Sequence, residues 1–251
     1  MSSVSHETSF LRKSAPWSST PTPAEKMQRL DRLANLGMLS AGMAHEVKNG
    51  LVAVKTFVDL LLEKNPDSEL GEVVRRELDR INAIVSQILR IAAPAAANFK
   101  AVHSHELLEH SLRLLQPQAS VKLITVKKLY HAEPDTVLGD DAQLQQVIMN
   151  LLLNALEAMG TGGTLTIGTE IADAEEGMRV LKIRVQDTGA GIAPENAARL
   201  FEPFFTTKKN GTGLGLAICQ RIIQEHRGVI HAESETGRGS TFSVHLPLCP
   251  P

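Results

Sequence analysis

From Ala24 to Lys64, apolar or small residues return every three or four positions: Leu30, Leu33, Gly37, Ala41, Ala44, Val47, Leu51, Val54, Val58, Leu61. That spacing puts them on one face of a helix about 60 Å long, at about 1.5 Å of rise per residue. Asn65-Pro66-Asp67 interrupts it, because proline suits the first turn of a helix and not its interior. A second stripe (Leu70, Val74, Leu78, Ile81, Val85, Ile88) then runs to Pro94. Two long helices joined by a short turn predict an antiparallel hairpin over residues 24–94. One hairpin leaves its stripe half uncovered, so a second copy is expected to complete a dimeric four-helix bundle.

After Pro94 the period changes. Residues 95–99 read as a linker, and 100–248 as a two-layer α/β sandwich, making the whole α+β. Helices are expected near Glu106–Leu115, Asp140–Met159 and Leu214–His226, with Asp140 or Asp141 as the N-cap of the second. Strands are expected near Val121–Tyr130, Thr164–Ile171, Val180–Gln186, Val229–Glu233 and Thr241–Leu246. Residues 1–23 are rich in Ser, Thr and Pro, show no period, and read as a disordered leader.

Composition removes several classes of function. The net charge is -2 and aromatics are 4%, which supports neither a nucleic-acid surface nor base-stacking platforms. The two cysteines, Cys219 and Cys249, are too few for a disulfide framework and have no metal spacing. No apolar run approaches the roughly 18–20 residues that span a bilayer. No basic segment followed by an apolar one opens the chain, so a cytoplasmic protein without a membrane span is expected.

Three segments of the second half bear on phosphate chemistry. Asn150 and Asn154 lie four apart on one helix face, and an amide oxygen is a hard neutral donor suited to Mg²⁺. Asp187-Thr188-Gly189-Ala190-Gly191 follows a strand, so its carboxylate can accept from an exocyclic amine while the glycines let backbone approach a flat ring. Gly211-Thr212-Gly213-Leu214-Gly215 opens a helix, where N–H groups and the dipole favour anions. Between them lies Phe201-Glu-Pro-Phe-Phe-Thr-Thr-Lys208, whose rings can pin a loop while Lys208 reaches phosphate. Each motif alone is weak; none is a P-loop or a dinucleotide fingerprint.

Their order resembles the N, G1, F and G2 boxes of sensor histidine kinases, relatives of the gyrase, heat-shock and mismatch-repair ATPases. Upstream, Leu36 through Asn49, with His45-Glu46 at its centre, looks like their H box. The resemblance spans roughly residues 27–247 and implies ATP and Mg²⁺ as cofactors. It makes Asn154 the metal ligand, with Asn150 supporting metal and phosphate. Asp187 reads adenine with help from Thr241, and Gly189 and Gly191 form the adenine wall. Lys208 contacts phosphate; Gly211, Gly213 and Gly215 let the lid close over the phosphates, with Thr212 and Leu214 of the same turn counted among the nucleotide-binding residues. Two departures stand out. Gly50 replaces the usual proline after Asn49, which softens a kink. The G2 helix is followed by His226-Arg227-Gly228 where the family often has His-Gly-Gly; one glycine is expected to end that helix.

His45 flanks the apolar stripe, and a neutral imidazole is a competent nucleophile at cytoplasmic pH. Glu46 can orient the ring or take its proton, and Asn49 lies one turn on. The resemblance then implies autophosphorylation of His45, transfer to an aspartate of a response regulator, and, through Asn49, a phosphatase activity on that regulator. Two other readings share the nucleotide motifs. An ATP-driven clamp or chaperone-type ATPase needs a glutamate base where Asn150 stands, and an anti-sigma-type serine kinase lacks the long hairpin.

Overall fold

The computed structural model describes residues 52, 54–61, 71, 73–79, 81, 97–173, 179–208 and 211–249. Residues 54–61 and 73–79 are helical. Lys55 Nζ meets Asp79 Oδ1 at 2.6 Å, and Arg75 Nε meets Asp59 Oδ1 at 3.3 Å. Four residues forward on one segment correspond to four back on the other, so the two run antiparallel. The pairing is symmetric about position 67, inside the expected Asn65-Pro66-Asp67 break. Leu78 is buried, while Phe57, Leu60, Leu61 and Val73 stay exposed. Among the described residues no helix is long and apolar enough to cross a membrane.

The second half runs β1 (Lys100–His103), α1 (Ser104–Val121), β2 (Thr125–Tyr130), β3 (Thr136–Gly139), α2 (Asp141–Met159), β4 (Thr164–Asp173), β5 (Arg179–Asp187), α3 (Pro194–Ala197), α4 (Gly215–Glu225), β6 (Val229–Glu235) and β7 (Gly239–Pro247). Five strands form a mixed sheet in the order β2-β4-β5-β7-β6, with only β2 and β4 parallel; β1 and β3 form a separate antiparallel pair. Helices α1, α2 and α4 cover one face, giving the two layers.

Strand alternation decides what points at the helices. Ile167, Val185 and Phe242 align across β4, β5 and β7 as a buried row. Two residues along, the same face reads Leu165, Asp187, Ser240. Asp187 is therefore a carboxylate set into the end of an apolar row, at 3% exposure. On α2, Leu144, Val147, Ile148, Leu151, Leu152, Ala155 and Leu156 face the core, which turns Asn150 and Asn154 toward the flank. Asp140 is its N-cap, its Oδ1 accepting from the Gln143 N–H at 3.0 Å.

Three details differ from the sequence reading. Helix α1 continues through Pro117 to Val121, because Leu108, Leu112, Leu115 and Ala119 form one unbroken buried stripe. Packing of that stripe outweighs the lost backbone bond, so the next strand begins at Thr125 and not at Val121. Short strands β1 and β3 were not anticipated. Helix α4 ends through Arg227, not a glycine, in the left-handed conformation (φ 57); the Gly228 N–H closes the turn onto the Ile223 carbonyl at 2.8 Å.

Candidate functional site

One face of α2 organises the site. Asn150, Asn154 and Ala158 follow each other four residues apart, with Glu157 three beyond Asn154, and together they touch three different segments. The Asn150 amide donates to the Gly215 carbonyl at 3.3 Å, at the start of α4. The Asn154 Oδ1 accepts from Lys208 Nζ at 2.8 Å. Glu157 pairs with the same ammonium. The Ala158 carbonyl accepts from the Ala190 N–H at 3.1 Å, on the loop that follows β5. The helix thus draws the Asp187–Gly191 loop, the 201–213 loop and the α4 N-terminus around one cleft.

Asp187 closes the inner end. Its Oδ1 accepts from the Gly189 N–H at 2.8 Å and the Ser240 N–H at 3.3 Å. Burial pushes its carboxyl above the usual range, and those two N–H groups, together with the Lys208 charge, pull against that rise. A charge held at a buried spot with lone pairs still available suits recognition of an N–H donor. Gly189 and Gly191 are required by close approach: a Cβ on Gly189 would lie 2.6 Å from the Ala158 carbonyl, and one on Gly191 (φ 69) 2.1 Å from Glu235 O. Gly213 (φ 67) is as tight, with a Cβ 2.4 Å from the Phe204 carbonyl carbon.

The loop before α4 is held by packing at both ends. Phe201 packs against the core and Leu214 is fully buried. The guanidinium of Arg199, two residues before Phe201, sits over the Phe205 ring at 4.4 Å, and Phe204 stands exposed. The Leu214 N–H lies 3.4 Å from Thr212 Oγ1. Behind the site, Cys219 is buried with its thiol pushed up to about 12, an inert packing group beneath Asn150.

Comparison with known proteins places this architecture. Residues 139–250 match the family model of histidine kinase-, DNA gyrase B- and HSP90-like ATPases, and residues 35–96 match the histidine kinase A phospho-acceptor domain. The solved catalytic domain of histidine kinase ThkA is 33% identical, with a TM-score of 0.54; the match covers 61% of this chain and 99% of that one. The chain belongs to the sensor histidine kinases.

Sensor histidine kinase ZraS of Salmonella typhi is 37% identical over 89% of this chain and 48% of its own length. The chain thus spans about half the length of the curated relatives it matches. Full-length ShkA, solved in complex with AMPPNP, is 26% identical with a TM-score of 0.73, covering 86% of this chain and 46% of that one. ThkA solved in complex with the response regulator protein TrrA is 28% identical, with a TM-score of 0.63 over 90% of this chain and 66% of that one.

In this sensor histidine kinase the residues expected at the nucleotide site come together, with one exception. Thr241 pairs with Gln186 and Glu233, on the sheet face away from Asp187. Ser240 takes the place expected of it, because odd and even positions of a strand point to opposite faces. The Ser240 hydroxyl lies 3.0 Å from that of Ser234, which also accepts from the Ile192 N–H. Glu157 was also missed, although its place one turn beyond Asn154 was legible in the sequence. Gly215 needs no special conformation here; a Cβ on it would make only an ordinary contact, 3.9 Å from Asn150 Cγ. His45, Glu46 and Asn49 lie outside the described residues.

Proposed function

We propose that this chain is an ATP-dependent protein-histidine kinase that phosphorylates its own His45 and passes the phosphoryl group to an aspartate of a response regulator. The observation that carries this reading is the convergence of Asp187, Asn154, Lys208 and the Gly211–Gly215 turn on one face of α2, in a chain whose phospho-acceptor match encloses His45. Asp187 accepts from the adenine amine, and Gly189 and Gly191 let the ring lie against backbone. Lys208 and the α4 N-terminus hold phosphate oxygens.

The donor fits Mg²⁺: the Asn154 amide oxygen is a hard neutral ligand and already accepts from a cationic group, the Lys208 ammonium. Asn154 would hold the metal with support from Asn150, and the ion would supply charge neutralisation on the phosphates. Asn150, an amide, has no basic atom to activate water, so the site favours an imidazole acceptor over hydrolysis. An imidazole nitrogen of His45 forms the N–P bond as the bond to the ADP oxygen breaks. Glu46 orients the ring or takes the displaced proton. Asn49 positions a water for dephosphorylation of the regulator. The kinase works as a homodimer in the cytoplasm, where ATP and a response regulator are both available.

The test is incubation with γ-labelled ATP and Mg²⁺. Label is expected on the wild type, absent from His45→Ala and Asn154→Ala, and lost in acid as phosphohistidine is. Label retained on His45→Ala, or stable to acid, would overturn the proposal.

A further inference from the structure

Helices α2 and α4 carry the nucleotide residues, and their other ends meet at a second cluster. His226, the C-cap of α4, is 3% exposed. Its Nδ1 lies 2.7 Å from the Ile222 carbonyl and so donates; its Nε2 lies 2.9 Å from the Asp140 N–H and so accepts. Both nitrogens are used by one neutral tautomer, which ties the end of α4 to the N-cap of α2. Gly139 leaves the ring its seat: a Cβ there would lie 2.8 Å from His226 Cδ2 and 2.7 Å from Leu144 Cδ1.

The interdomain linker ends on this cluster. The Asn98 N–H donates to Asp140 Oδ2 at 2.8 Å, while Asp140 Oδ1 caps Gln143. The Phe99 ring lies against the His226 ring, centroids 4.7 Å apart and tilted by 32°. N–H donors from Gln143 and Asn98 hold the Asp140 carboxyl below its usual range, so it accepts as a carboxylate. The end of α4 is closed by the Ile222 bond and by the Gly228 N–H on the Ile223 carbonyl, neither of which involves Asn98 or Phe99. Phe99 is 41% exposed and precedes the first strand, where it adds little to the core. The stack and the Asn98 bond therefore have a purpose beyond capping.

We infer that His226 is a positioning residue for phosphoryl transfer: with Asp140 it latches the linker, at Asn98 and Phe99, to the shared base of α2 and α4. The inference rests on the kinase reading above. From Asp140 to Asn154 is about 20 Å of helix at about 1.5 Å per residue. A linker clamped at that distance turns with the two helices as one lever, so the γ-phosphate meets its acceptor from a defined direction. Slack at the joint would spread that direction, and attack tolerates little error, since a misplacement of about 1 Å can cost about 100-fold.

The experiment compares the full chain with Phe99→Ala, His226→Gln and the double variant. It measures the initial rate of His45 labelling, the affinity for a fluorescent ATP analogue, and hydrogen exchange at the Asn98 and Asp140 amides. Each single variant is expected to label about 10-fold or more slowly, with nucleotide affinity unchanged and faster exchange at Asn98. The double variant should be no slower than the worse single one, as for one shared device. A wild-type labelling rate in Phe99→Ala would overturn the latch. So would rate losses matched by equal losses of affinity, or unaltered exchange at Asn98. If His226→Gln does not fold, Phe99→Ala alone decides. No label on the wild type would strike the kinase reading, while exchange at Asn98 would still decide the latch.

Discussion

The ammonium of Lys208, on the loop that leads into α4, donates to the amide oxygen of Asn154 on α2 at 2.8 Å. Glu157, one turn further along α2, shares that ammonium. The loop is therefore held down by a cation resting on the oxygen proposed above for Mg²⁺; on that proposal, binding of Mg²⁺ with ATP would require Lys208 to change partner from Asn154 to phosphate. Lys208→Ala is expected to weaken ATP binding about 10-fold or more, the loss of a bond to a charged group. Glu157→Gln removes the competing anion and should keep or raise ATP affinity. Its effect on stability should be negligible, since both partners are largely exposed. Titration with a fluorescent ATP analogue checks both; a Glu157→Gln loss equal to that of Lys208→Ala would make the carboxylate part of the binding site.

Asp187 is where recognition and stability pull apart. Its folded pKa is raised by burial, so its contribution to stability is full below the unfolded Asp value of about 3.9. That contribution is lost as pH rises through the higher folded value. Asp187→Asn keeps an oxygen for the Gly189 and Ser240 N–H groups and carries no charge. The variant should melt higher than the wild type at neutral pH, with the gap closing toward about pH 4, and should lose ATP binding. Melting curves across pH, paired with nucleotide titration, test it. A lower melting temperature at neutral pH would mean the ionised carboxylate holds the fold.

The nucleotide motifs were legible because each combines an unusual residue type with a local reason for its place. Glycines at 189, 191 and 213 sit where a Cβ collides with backbone, and such demands surface in sequence directly. Thr241 was misplaced because a motif gives neighbours and not faces. Only the register of β5 with β7 shows that Ser240 shares the side of Asp187. Strands β1 and β3 are four residues each, too short for a period to rise above chance. The reach of α1 past Pro117 depends on a core the local sequence does not reveal. The bonds joining Asn98, Asp140 and His226 cross 42 and 86 residues, and no local pattern announces them.

The glycines allow structure and chemistry to be separated. Gly191→Ala and Gly213→Ala should each destabilise by about 1–3 kcal/mol, through collision and strained φ together. Gly215→Ala makes only an ordinary contact at the first residue of α4 and should leave the melting temperature unchanged or slightly higher. If Gly215→Ala nevertheless cuts His45 labelling, the glycine is kept for phosphate and lid movement. Arg227, at φ 57, is the converse case. Arg227→Gly relieves a left-handed arginine and should stabilise by about 1 kcal/mol. Thermal melts of the four variants beside the labelling assay read these outcomes.

The hairpin makes the last prediction. Val54, Phe57 and Leu61 lie on one helical face at steps of three and four, and Phe57 is 68% exposed. The ion pairs of Lys55 with Asp79 and Asp59 with Arg75 lie at partly exposed positions and add little to stability. A second copy that covers the apolar face would bury each such ring twice, because a two-fold interface repeats every contact. Losing Phe57 then counts twice, about 3–6 kcal/mol at about 1.5–3 kcal/mol per side chain, which is about 100-fold or more in dimer Kd. Sedimentation equilibrium should show the wild type dimeric and Phe57→Ser shifted toward monomer, while Arg75→Gln stays dimeric. A monomeric wild type, or a Phe57→Ser dimer of unchanged strength, would remove the hairpin as the dimer interface.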